Sequence, residues 1–144
     1  MDTTANQTWN NSYLLDINMI DKQHMHFFKI FDQLLVLNKN FENYLALAPL
    51  IDELEKYTKV HFKTEEALMV KANVQDIDLH IAQHEIFIEK IDAFKTAYSY
   101  QNTVLLEQMI IFMRKWFLMH ISEVDRKYAE PVQKYLEKRE IKEM

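Results

Sequence analysis

Glycine is absent from all 144 residues, where average usage near 7% would supply about ten. That absence removes the phosphate-cradling loop, the dinucleotide fingerprint, the usual nucleophile elbow and the standard EF-hand turn. It also removes the tight primed turns on which short hairpins depend, and so argues against an all-β fold. Cysteine is absent too, which excludes disulfides, thiolate zinc sites, iron–sulfur clusters and cysteine nucleophiles. Only two prolines occur, Pro49 and Pro131. Charge is mixed, 17 basic residues against 22 acidic for a net −5, and a nucleic-acid role, which needs a basic face, is not expected. The most apolar stretch, Val104 to Met119, is interrupted by Glu107, Gln108, Arg114 and Lys115, so no membrane span is expected. Met1 to Thr8 is polar and acidic rather than basic and then apolar. A secretory signal is therefore not expected, and a cytoplasmic location is.

What is there is helical periodicity. Apolar residues recur at intervals of three and four over about Ile20 to Leu37, Ala48 to Lys71, Asp78 to Tyr98 and Thr103 to Tyr128. Pro49 opens the second segment, where proline is tolerated. A short, highly charged amphipathic piece, Val132 to Lys142, follows Pro131. Segments of similar length joined by short polar breaks predict an all-α, antiparallel up-down-up-down four-helix bundle. The chain reads as one domain over residues 1–144, with the bundle at about 20–128 and a separate short helix at about 132–142. Residues 1–19 lack periodicity and are expected to run along the bundle as an arm anchored by Trp9 and Tyr13.

The stripes contain residues a hydrophobic core does not explain. His24, His61, Glu65, His80, His84 and His120 all fall on core-facing positions. Burying a polar group without a partner costs on the order of 1–3 kcal/mol, and a carboxylate costs more. A shared metal would supply the missing partner. His61 with Glu65, and His80 with His84, are spaced i,i+4 and so stack on one helix face. Asp125 follows His120 by five residues, about 140° away on a regular helix, and a distorted turn between Ile121 and Asp125 would bring it inward. Seven such ligands exceed the four that a closed zinc site takes, and imidazole with carboxylate in a helical bundle fits a pair of iron ions. Ordinary roles are expected for the neighbours. His26, about 160° from the inward direction, reads as a surface residue, Asp21 as a helix cap and Glu66 as a solvated side chain. Tyr57, Tyr98 and Tyr128 are candidate hydrogen-bond donors to the ligands.

These residues give the chain a resemblance to the hemerythrins, and to the bacterial single-domain members in particular. The matching pieces are Ile20-Asp21-Lys22-Gln23-His24, His61-Phe62-Lys63-Thr64-Glu65-Glu66 with Met69, His80-x3-His84, and Trp116-x3-His120-Ile121 with Asp125 and Tyr128. With Trp9, the likeness covers about residues 9–130. It implies a non-haem di-iron centre in which His80, His84 and His120 hold one iron and fill its coordination. His24 and His61 would hold the other, leaving a position for dioxygen. Glu65 and Asp125 would bridge the two, together with a solvent-derived oxo or hydroxo group. By motif position, the dioxygen pocket would comprise Phe27, Phe62, Trp116, Phe117 and Ile121. Two Fe²⁺ balanced by two carboxylates and a hydroxide leave about one net charge, a ligand set that favours reversible dioxygen capture over oxygen activation. Two positions depart from the family pattern. Phe117 stands where an aliphatic residue, often leucine, is usual, and Asp16 where glycine is favoured before the first helix.

The expected function is reversible dioxygen binding for carriage, storage or delivery, without enzymatic turnover. The alternatives are an oxygen or redox sensor and a di-iron oxidase or peroxidase. The last is disfavoured because no Glu-x2-His pair occurs in the sequence. A monomer is expected, with weak self-association as the alternative, and Val132 to Lys142 either packs on the bundle or mediates that association.

Overall fold

The computed structural model describes residues 9–39, 45–98 and 103–143. The sequence-stripe helices form as α1 (Asn18–Lys39), α2 (Leu47–Lys71), α3 (Ile77–Ala97) and α4 (Thr103–Met119). A π-helical turn, His120–Asp125, then leads directly into α5 (Arg126–Glu143). The part of the expected arm at 1–8 lies outside the described residues. α1 packs on α2, α2 on α3 and α3 on α4, and α4 returns to α1, which closes an antiparallel four-helix ring. None of the described helices is long and apolar enough to cross a membrane.

The final helix departs from expectation. Pro131 does not end one helix and begin another, because α5 runs through it without a break from Arg126. Proline removes the hydrogen bond its amide would donate to the Lys127 carbonyl and crowds that carbonyl. Lys127 and Glu130 are exposed at this turn, so water can solvate the freed carbonyl, while buried Ala129 and Val132 hold the helix on the bundle. α5 packs against α2.

Without glycine, the chain uses acidic and amide side chains where the backbone turns left-handed. Asp16, Asn73 and Asp76 have φ of 57°, 55° and 59°, a region that Asn and Asp enter more readily than other non-glycine residues. Asn73 closes α2 in a Schellman motif: its own amide donates to Val70 O at 3.1 Å, and Val74 N donates to Met69 O at 3.1 Å. Asp16 bends the arm into α1 at the place where the family pattern favours glycine.

The arm is held from two sides. Trp9 and Tyr13 pack on Phe28, with ring centroids 5.5 and 5.3 Å from it. Asp21 is an acid of the first turn of α1, buried there, and its Oδ1 accepts the amide of Leu15 in the arm at 2.8 Å. Arg126 donates to the Ser12 carbonyl at 2.7 Å, and Gln133 donates to that of Leu15. Two apolar clusters result. A larger one fills the bundle around Phe27, Phe62, Phe87 and Phe117. A smaller one packs Leu15, Ile17 and Ile20 of the arm and α1 with Met69, Tyr128 and Val132. The expected ligands cluster where the two meet.

Candidate metal centre

All seven of the expected ligands converge. Glu65, His80, His84, His120 and Asp125 each place a ligand atom within 4.8 Å of the others, and so do His24, His61 and Glu65. α1 brings His24, α2 brings His61 and Glu65 one turn apart, and α3 brings His80 and His84 in the same way. The π turn solves the five-residue spacing. Its wider winding puts His120 and Asp125 on one face, with His120 Nε2 2.9 Å from Asp125 Oδ1.

The two carboxylates divide their oxygens between two groups of histidines. Asp125 Oδ1 lies 2.9 Å from both His80 Nε2 and His120 Nε2, and Glu65 Oε1 lies 3.1 Å from His84 Nε2. Their other oxygens face the opposite way: Asp125 Oδ2 is 3.2 Å from His24 Nε2, and Glu65 Oε2 is 3.2 Å from His61 Nε2. Two carboxylates therefore stand between a three-histidine side and a two-histidine side.

Hydrogen bonds alone do not satisfy this cluster. His84 Nδ1 donates to Glu66 Oε2 at 2.8 Å, so in the neutral ring the lone pair of Nε2 points inward. His120 Nδ1 and His61 Nδ1 donate in the same way to Gln83 Oε1 (3.1 Å) and Gln23 Oε1 (2.6 Å). Yet His84 Nε2 and His120 Nε2 are only 3.0 Å apart, and two lone pairs at that distance repel. His24 Nδ1 and Nε2, Glu65 Oε1 and both Asp125 oxygens are buried with no hydrogen-bond partner. Cations between the nitrogens and the carboxylates would resolve both problems, so these residues fit a pair of metal ions. The donor set of imidazole and carboxylate, with no sulfur, suits iron.

Electrostatics within the metal-free cluster point the same way. Burial alone would raise the carboxylates, but the surrounding imidazoles hold Glu65 and Asp125 well below the usual carboxylate range. Burial opposes a charge on His24, yet the carboxylates of Asp125 and Glu65, 3.2 and 3.5 Å from its Nε2, outweigh it, and its pKa rises to about 9. Burial lowers His61. His84 is raised, because Glu65 and Glu66 together outweigh its burial. Tyr128 donates its hydroxyl to Glu65 Oε2 at 2.8 Å, and burial with the nearby carboxylates keeps the phenol well above its ordinary value.

Aromatic rings treat the two sides differently. Each imidazole of the three-histidine side has a ring lying parallel to it: Phe62 on His84 at 3.7 Å, Trp116 on His120 at 4.3 Å and Tyr128 on His80 at 5.6 Å. On the two-histidine side, His24 meets His61 and Phe117 through ring edges, and Phe117 stacks on Phe27. The five expected pocket residues are therefore divided. Phe117 meets His24 and carries Phe27 stacked on it, Phe62 and Trp116 back His84 and His120, and Ile121 is fully buried in the larger core. Trp116 and His120 also line a 670 Å³ groove beside Gln83.

Several functional side chains are not evident from the stripes. Glu66 is not simply solvated, since it holds His84. Gln23 and Gln83 each directly precede a histidine in sequence, but reach across to a histidine on another helix. Among the tyrosines, Tyr128 donates to Glu65 of the cluster. His26 lies at the surface beside Glu53, at 3.3 Å.

Fold and site together define a helical-bundle protein with a buried cluster of histidines and carboxylates able to hold metal. The Hemerythrin HHE cation binding domain matches residues 15–131, and the chain belongs to the hemerythrin family. It is 29% identical over 126 residues to a bacteriohemerythrin of Clostridium acetobutylicum, covering 85% of this chain and 98% of that one. It is 27% identical over 128 residues to a bacteriohemerythrin of Stenotrophomonas maltophilia, covering 89% and 82%. The crystal structure of a wild-type hemerythrin superposes with a TM-score of 0.75 at 24% identity, over 89% of this chain and 98% of that one.

Proposed function

We propose that this chain binds dioxygen reversibly at a non-haem di-iron centre, as a carrier, store or delivery protein and not as an enzyme. The observation that carries this reading is the division of Glu65 and Asp125, each with one oxygen toward three histidines and the other toward two. When bound, the iron pair supplies the electrons and the open coordination position that dioxygen requires. His80, His84 and His120 would hold one iron, His24 and His61 the other, and Glu65 and Asp125 both, with a solvent-derived oxo or hydroxo bridge completing the centre.

The protein's own residues set the conditions. Glu66, Gln83 and Gln23 accept the Nδ1–H of His84, His120 and His61, which fixes the ring orientations and leaves each Nε2 free to ligate. Tyr128 keeps its proton and donates it to Glu65 Oε2, holding that carboxylate in its shared position. Phe27 and Phe117 cover the two-histidine side with apolar surface and exclude water there. We place the protein in the cytoplasm as a monomer, on its acidic charge and the absence of a membrane-spanning helix among the described residues.

The test is visible absorption of iron-loaded protein, reduced without air, then exposed to air and purged. A charge-transfer band that rises and falls over repeated cycles, with two irons per chain, is the expected result. Irreversible conversion to a ferric form with release of peroxide would move the assignment to an oxidase or redox sensor.

A further inference from the structure

One hydroxyl sits where no core needs it. Thr58 lies on the inward face of α2, 4% exposed, and its Oγ1 is buried without a hydrogen-bond partner. Six side-chain atoms share that condition among the described residues, and the other five belong to His24, Glu65 and Asp125. A helical threonine has an easy remedy in the carbonyl four residues back. Thr64 takes it, donating to Val60 O at 3.0 Å, and Thr96 donates to Asp92 O at 3.1 Å. Thr58 leaves the Leu54 carbonyl alone and keeps its hydroxyl in the interior.

Thr58 precedes His61 by three residues and Phe62 by four, so the three share one face of α2. That is the face beside the two-histidine side, where Phe27 and Phe117 offer rings and no hydrogen bond. We propose that Thr58 is the hydrogen-bonding residue of the small-ligand pocket, donating its O–H to a diatomic ligand or small linear anion seated beside His61. The proposal rests on the di-iron reading above and adds the residue that discriminates among ligands: one with an acceptor atom away from the metal gains a bond, and one without gains nothing.

The test uses the full chain with Thr58→Val, of the same shape without the hydroxyl, and Thr58→Ser, which restores it. Metal-free protein is melted, and iron-loaded, oxidised protein is titrated with azide and followed by absorbance. Metal-free Thr58→Val is expected to melt about 2–4 °C higher, because an unpaired buried hydroxyl has gone. Azide should bind Thr58→Val about 3- to 10-fold more weakly and Thr58→Ser within about twofold of the parent. A lower melting temperature for metal-free Thr58→Val would show that the hydroxyl already has a partner, and would overturn the proposal. So would equal azide affinity in all three proteins. A parent protein that takes up iron poorly and gives no azide band overturns the di-iron reading and the proposal together; a parent band that Thr58→Val leaves unchanged overturns the proposal alone.

Discussion

Glu66 shows how much one side chain adjacent to a ligand can govern. Its carboxylate can only accept, so its 2.8 Å contact fixes the proton of His84 on Nδ1 and leaves Nε2 facing inward. Replacing Glu66 by alanine should lower iron affinity about 10- to 100-fold, measured by competition with a chelator, with helix content unchanged. Titration gives a second prediction. The pKa of His24, raised to about 9 from 6.5, adds stability to the metal-free protein that is complete below pH 6.5 and is lost as pH rises toward 9. The lowered pKa of Glu65 adds stability that is complete above about pH 4.5 and is lost on acidification. His61, lowered by burial, acts the other way and costs stability as pH falls below 6.5, so the melting temperature of metal-free protein should be highest near pH 6.5 and decline on either side. Iron displaces the His24 proton, so loaded protein should not show the decline above 6.5. The seven residues of the cluster were legible in sequence because polar residues at core positions have no cheap explanation. Glu66, Gln23 and Gln83 were not, since helical spacing turns a residue adjacent to a ligand or an inward position about 100° aside, and only side-chain length brings its head group back.

Among the elements, the π turn determines whether the centre exists. A regular helix would carry Asp125 away from His120. Inserting an alanine after exposed Ser122 would place Asp125 six residues beyond His120 and turn every later inward residue aside, Asp125 and Tyr128 included. Circular dichroism is expected to remain strongly helical while iron per chain falls below two; full loading of the insertion variant would show the placement of Asp125 to be dispensable. The sequence signals this distortion only through the awkward five-residue spacing. Four helices were legible from periodicity, and the ends of the first three lie within a few residues of the pattern, whereas the fourth, expected to reach Tyr128, gives way to the π turn after Met119. Pro131 misleads because its local preference to interrupt a helix yields to the packing of Ala129 and Val132 on the bundle. Along α2, Thr58 is buried while its neighbour Tyr57 is half-buried against the core. A stripe cut from mixed residues does not settle which of two neighbours faces the core.

For the whole molecule, a polar layer between two apolar clusters makes stability depend on metal. Unfolded chain lacks the assembled site, so ligation adds to folding free energy by mass action. At a free-metal concentration about 1,000 times Kd the gain is about 4 kcal/mol, or about 8–16 °C for a chain of this size. Differential scanning calorimetry before and after chelation should find a drop of that order, and equal transitions would separate the metal from the fold.

The docking of the arm has a consequence on the timescale of amide exchange. Leu15 belongs to no helix, yet its amide is buried and bonded to Asp21. In deuterated solvent it should exchange as slowly as a helical amide, as a single reporter of a closed arm. Leu15 and Tyr128 share one cluster. Each opening event that labels Leu15 also admits solvent to the phenol that steadies Glu65, so the labelling rate at one backbone nitrogen measures how often the centre gets wet.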